Sequence, residues 1–125
     1  MTEVYTDGST TDICYIIEGC KPCVRPAIEG KKVTVNEGEY YAAIAALLDL
    51  IGQGLTKDVT IFSDSELMVN QINTRIVVGY KPIYKCKAQN LKPLLVEVVR
   101  LAEFFKSLHF VWIPREENEA GKILG

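Results

Sequence analysis

Between Gly38 and Gly54 the chain reads GEYYAAIAALLDLIGQG. Length and Ala/Leu content predict a helix ended by Gly52 and Gly54, with apolar residues on most of its faces. Such a helix offers little to water, so the rest of the chain has to enclose it. The flanking segments supply the means. Glu3 to Thr6 and Ile13 to Ile17 read as short strands rich in Val, Ile, Tyr and Thr, a Gly/Pro-rich turn region follows from Gly19 to Gly30, and a third strand is expected near Lys32 to Val35. Val59 to Phe62 reads as a strand and Glu66 to Ile72 as a short helix. Leu91, Leu94, Leu95, Val98, Ala102, Phe105 and Leu108 recur at helical spacing, with Pro93 tolerated in the first turn. HFVWIP is a last strand stopped by Pro114, and REENEAGKILG a polar tail with at most one further helical turn. The order βββαβαβ implies an α/β fold, a mixed sheet with helices on its faces.

At 125 residues and 48% hydrophobic, the chain suits a single domain, residues 1–125, with one core. Its longest apolar run, Tyr40 to Leu48, is far short of the ~20 residues that cross a bilayer. No signal-peptide pattern opens the chain, so no membrane association and a cytoplasmic location are expected. The four cysteines, Cys14, Cys20, Cys23 and Cys86, form no dense framework and are expected to be reduced. CKPC resembles half a zinc site or a redox pair, but no second CxxC accompanies it. With 14 basic and 16 acidic residues, net charge −2, there is no overall basic field to gather a polyanion. Any nucleic-acid contact needs a local patch.

Three carboxylates stand out by position: Asp7 at a strand end, Glu39 in the first turn of the long helix, and Asp64 between a strand and a helix. Each has an ordinary reading. Asp7-Gly8 suits a hairpin turn, Asn36 with Glu39 and Ser63 with Glu66 have capping-box spacing, and Asp64 suits a helix N-terminus. A second reading joins them. If the strand order gathers all three, each pair ~4 Å apart repels by about 4 kcal/mol at an effective dielectric near 20. A cation relieves that repulsion, and an all-oxygen donor set suits Mg²⁺ or Mn²⁺ and the hydrolysis of phosphodiesters.

YTDGS (Tyr5 to Ser9), NEGEYYAAIAAL (Asn36 to Leu47), IFSDSELMVNQIN (Ile61 to Asn73), YKCKAQNLKPL (Tyr84 to Leu94) and VWIPREEN (Val111 to Asn118) together resemble the type 1 ribonuclease H family. The resemblance implies a ribonuclease H-like mixed five-stranded sheet with helices on both faces, here with the C-terminal helix short or missing. It further implies two divalent ions, Mg²⁺ or Mn²⁺, and hydrolysis of the RNA strand of an RNA/DNA hybrid to 5′-phosphate and 3′-hydroxyl ends. In that reading Asp7 bridges the ions, Glu39 binds one and orients a water, and Asp64 shares the coordination. Asn36 matches a minor-groove contact, Gly8 and Ser9 belong to the first motif beside the substrate, and Arg115 stands near a position held by histidine or arginine in many members. GYKPIYKCK interleaves Tyr80 and Tyr84 with Lys81, Lys85 and Lys87, a pattern suited to phosphate contact and stacking.

Several features depart from the family pattern. Its fourth carboxylate, an aspartate after the last strand, aligns with Gly121 or Lys122, and neither can replace it. Glu116, Glu117 and Glu119 are the acids near enough in sequence to substitute. The glycine-rich loop after the first aspartate is shortened to STTD, Glu66 stands where many members have glutamine, and Thr74 to Ile83 reads as inserted. The main reading is therefore a hybrid-cutting ribonuclease weakened at one ligand. Its alternatives are a catalytically degenerate domain binding nucleic acid or protein, and a superfold member acting on another polynucleotide.

Overall fold

The computed structural model describes the backbone of residues 1–78 and 88–125 and the side chains of residues 1–74 and 88–125. Strands β1 (Thr2–Gly8), β2 (Asp12–Ile17) and β3 (Cys23–Pro26) form an antiparallel meander. Helix α1 (Val35–Gly52) then crosses over to β4 (Asp58–Ser63), which pairs parallel with β1. Helices α2 (Glu66–Val78) and α3 (Lys92–Ala102) lead to β5 (Ser107–Trp112), parallel to β4. The result is one five-stranded mixed sheet of order β3-β2-β1-β4-β5. A 3₁₀ turn, Arg115–Glu117, and a short helix α4, Glu119–Leu124, follow β5. None of the described helices is long and apolar enough to cross a membrane.

The all-round apolar pattern of α1 is explained by its place. It packs on β1, β2 and α3, and Tyr40, Ala42, Ala43, Ala46, Leu47 and Leu50 are wholly buried. The core joins these to Val4, Ile13, Ile17, Val59, Ile61, Ile72, Leu91 and Val98. Small residues let the helix approach the sheet closely, and the approach is tightest at its first turn. A Cβ on Gly8 would fall 2.1 Å from the Gly38 carbonyl oxygen, and one on Gly38 would fall 2.1 Å from that of Ser9. Only two glycines fit there. Side chains alternate across a strand, so Gly8 faces α1 while Asp7 faces the opposite side, where α4 packs on β1 and β2.

Four sequence expectations shift. The third strand is Cys23–Pro26, inside the expected turn region; Lys32 to Thr34 is the lead-in to α1 and forms no strand. β3 is a sheet edge, where the missing N–H of Pro26 breaks no ladder. Helix α1 is capped by Thr34 and Glu37, which make a reciprocal capping box, and not by Asn36 with Glu39. At α2, Ser65 rather than Ser63 accepts the Met68 N–H. Finally, α2 runs on to Val78 whereas α3 stops at Ala102: the N–H groups of Glu103, Phe104 and Phe105 bond three residues back, and Lys106 N–H bonds Thr56, turning the chain into β5. Phe105 still reaches the core, and Leu108 belongs to β5. Thr74 to Val78, expected as inserted, lies in α2, and residues 79–83 of that stretch lie outside the described residues.

The Gly8–Gly38 approach predicts that Gly38→Ala, which must push two backbones apart, costs roughly 2–3 kcal/mol and lowers Tm by about 10 °C. Gly52→Ala, with open space around its Cβ, should leave Tm unchanged or slightly raised. Calorimetry on the two variants checks the contrast.

Candidate active site

β1 and β4 are adjacent and parallel, in a register that pairs Thr6 with Ser63. The next residue after each of these is an aspartate, Asp7 still on β1 and Asp64 just past the end of β4, so the two emerge from the same edge of the sheet. Glu39 is delivered by the glycine contact: it follows Gly38 at the point where α1 touches β1, and its Oε1 accepts the Gly8 N–H at 2.8 Å. One carboxylate oxygen from each of Asp7, Glu39 and Asp64 lies within 4.8 Å of the others. Among the described residues this is the one group of three or more Asp, Glu, His or Cys side chains so gathered.

Burial and proximity raise the cost of charge there. Burial pushes the Glu39 carboxyl up to about 9, with the neighbouring charges of Asp7 and Asp64 adding to the rise. Asp7 is also raised, by burial and by Asp64, while the Arg115 guanidinium pulls it down. Without a cation Glu39 therefore retains its proton near neutral pH. A hard divalent ion fits the all-oxygen donor set and removes the reason for that protonation.

Two side chains hold Asp64, and neither was assigned a role from sequence. Asn118, wholly buried, donates from Nδ2 to the Thr6 carbonyl at 2.9 Å and to Asp64 Oδ2 at 3.1 Å, while its Oδ1 caps α4 through the Ala120 N–H. Trp112 donates its indole N–H to the Asp64 carbonyl at 3.2 Å. A buried Asn ahead of a short helix looks from sequence like a plain N-cap, and it is one. Its second duty links residues too far apart in the chain to be seen without the fold.

The fourth-ligand question is decided by geometry. A Cβ on Gly121 would sit 3.6 Å from both Asp7 Oδ2 and Asp64 Oδ2, so Gly121 occupies the position that faces the trio. Lys122 is exposed and ion-paired with Glu119 at 3.5 Å. Glu116 and Glu117 are exposed on the 3₁₀ turn, and none of the three glutamates joins the cluster. A groove of about 420 Å³, lined by Arg115, Glu116, Gly121, Lys122 and Gly125, opens beside the glycine.

The expected nucleic-acid residues divide. Gly8 is buried with its N–H already bonded to Glu39, and Ser9 closes the β1–β2 turn by accepting the Thr11 and Asp12 N–H groups. Both are thus engaged in holding the end of β1 against α1 and β2. Asn36 is exposed in the first turn of α1 and free of capping, and Arg115 is exposed near Asp7. Lys81, Lys85 and Lys87, with Tyr80 and Tyr84, lie outside the described residues. Cys14 is buried, which pushes its thiol up to about 11, and Cys20 and Cys23 are free thiols on or near the sheet edge.

The profile of the reverse transcriptase-like family matches residues 9–124. The bifunctional protein Rv2228c of Mycobacterium tuberculosis is 32% identical over 87 residues, 70% of this chain and 21% of that protein. The chain thus spans about a fifth of the length of the curated relatives it matches. RNase H1 of the halophilic archaeon Halobacterium salinarum NRC-1 has a TM-score of 0.81 at 22% identity, covering 98% of this chain and 92% of that one. LC11-RNase H1, isolated from compost by a metagenomic approach and solved in complex with an RNA/DNA hybrid, has a TM-score of 0.78 at 27% identity, covering 100% of both chains. Matched over nearly its whole length, the chain belongs to the reverse transcriptase-like family and has the ribonuclease H-like fold of the type 1 enzymes.

Proposed function

We propose that the protein is a divalent-metal-dependent endoribonuclease acting on the RNA strand of RNA/DNA hybrids. The observation that carries this reading is the convergence of Asp7, Glu39 and Asp64 within 4.8 Å at the carboxyl edge of β1 and β4. The similarity to LC11-RNase H1, whose structure holds such a hybrid, supports the substrate class.

Asp7, Glu39 and Asp64 are the residues that hold Mg²⁺ or Mn²⁺. When bound, two such ions supply an activated water and charge stabilisation at the attacking and leaving oxygens. The protein contributes orientation. The Gly8 N–H fixes one oxygen of Glu39, and Asn118 fixes one oxygen of Asp64. Asp7 projects from the strand between them. The exposed Arg115 places a cation near Asp7, available to a phosphate, and Asn36, exposed one turn before Glu39 on α1, is the residue assigned to the 2′-hydroxyl that distinguishes RNA from DNA. A second reading, a degenerate domain that binds hybrid without cutting it, is favoured by one observation. Gly121 leaves the fourth side of the site without a carboxylate, which loosens one ion.

Labelled RNA/DNA hybrid, double-stranded DNA and single-stranded RNA, each in Mg²⁺ and in Mn²⁺, separate the readings. We expect hybrid cleavage that Asp64→Asn lowers by at least roughly a hundredfold. Binding without cleavage in either metal selects the degenerate reading. Gly121→Asp should lower the Mn²⁺ concentration for half-maximal cleavage by roughly tenfold, since it adds an opposite charge beside the ions. It should also destabilise the metal-free protein by adding a fourth acid, and a melting curve in chelator reads that cost.

The raised carboxyls give a pH test whose sign is fixed. A group whose pKa is higher folded than unfolded contributes stability at low pH that is lost as pH rises towards the folded value. With Asp7 and Glu39 raised, Glu39 to about 9, the chelated protein should lose Tm steadily between about pH 5 and 9. Adding Mg²⁺ should restore several degrees at pH 8 and little at pH 5. A Mg²⁺ response that is the same at both values contradicts the assignment.

A further inference from the structure

The sole tryptophan of the chain, Trp112, ends β5 opposite Ser63, one residue before Asp64. It is 45% exposed. A single exposed apolar side chain is ordinary on a protein surface and needs no role. Trp112 differs in how it is held. Its indole N–H bonds the backbone carbonyl of Asp64, so one edge of the ring is fixed to a candidate metal ligand while nearly half of the residue remains in solvent. An aliphatic residue at the strand end would shield the same surface without that bond, because it has no donor. Around the same acids stand Arg115, whose charge reaches Asp7, and Lys122, which lines the adjoining groove. An anchored aromatic ring and flanking cations make a surface suited to a polynucleotide backbone, the cations meeting phosphates and the ring meeting a sugar or base.

We propose that Trp112 contacts the nucleic acid and positions Asp64: its exposed ring packs on a backbone sugar beside the phosphate at the acidic site, and its N–H holds the Asp64 backbone in place. The inference rests on the nuclease reading above and adds to it a residue that reports on the site. Being the only tryptophan, it gives an emission signal to which no other tryptophan contributes, excited at the red edge where the six tyrosines do not absorb.

The test uses the full chain and a fluorescein-labelled RNA/DNA hybrid, with binding measured independently by anisotropy in Ca²⁺ and cleavage in Mn²⁺. Trp112 emission should change saturably with unlabelled hybrid, and hybrid should shield it from iodide quenching. Trp112→Phe keeps a ring and loses the donor. It should bind hybrid within about twofold of wild type while raising the Mn²⁺ concentration for half-saturation, read by calorimetry, by roughly fivefold. Trp112→Ala loses both and should weaken hybrid binding by roughly tenfold as well. If hybrid binds by anisotropy yet leaves emission and iodide quenching unchanged, the contact is refuted while the nuclease reading stands. Unaltered Mn²⁺ affinity in a folded Trp112→Phe protein refutes the positioning role. Should wild type neither bind nor cut hybrid, the nuclease reading fails and this inference fails with it. If Trp112→Ala does not fold, as its melting curve will show, the emission and Trp112→Phe results decide alone.

Discussion

The site depends on two backbones touching. Where α1 starts against the end of β1, Gly8 and Gly38 meet at a separation that no Cβ tolerates. That contact fixes how far α1 can slide along the sheet, and it sets Glu39, the next residue, against the Gly8 N–H. The parallel β1–β4 pair does the rest by registering Asp7 with Asp64. Three acids from distant parts of the chain are thus brought together by main-chain geometry, with no need for attraction between them. Their mutual repulsion is stored against the packing of α1, whose buried alanines and leucines supply the opposing free energy.

That stored repulsion explains why protonation and cation binding are alternatives here. Either a proton or a divalent ion lowers the charge of the cradle, and the ion does so while leaving the carboxylates as ligands. Gly121 sets that balance: α4 presents backbone where a side chain could reach Asp7 and Asp64, so the cradle carries less negative charge than a fourth acid there would give it. The same glycine lines the groove beside Arg115.

Much of this was legible from the residues. A strand-end acid at Asp7, a strand–acid–helix pattern at Asp64, and an all-round apolar helix bearing Glu39 carry the sheet-and-helix arrangement in local form. β3 was not legible because a four-residue edge strand that ends on a proline shows no alternation to read. The caps were misplaced by two residues because Ser, Thr, Asn and Glu recur at several valid spacings, and only backbone geometry selects among them. Asn118 and Trp112 were beyond reach for a different reason. Their partners, Thr6 and Asp64, are 112 and 48 positions away, and hydrogen bonds of that range exist only after the sheet has formed.

The Thr34–Glu37 box has a consequence for how this helix can evolve. Because two neighbours anchor the start of α1, Asn36 and Glu39 carry no duty as helix caps. The Asn36 side chain is exposed, and exchanges there are separable from the integrity of the scaffold, whereas Glu39 stays tied to β1 through the Gly8 N–H. A lineage carrying this chain can therefore vary the exposed first turn of α1 at Asn36 while the buried helix behind it stays seated.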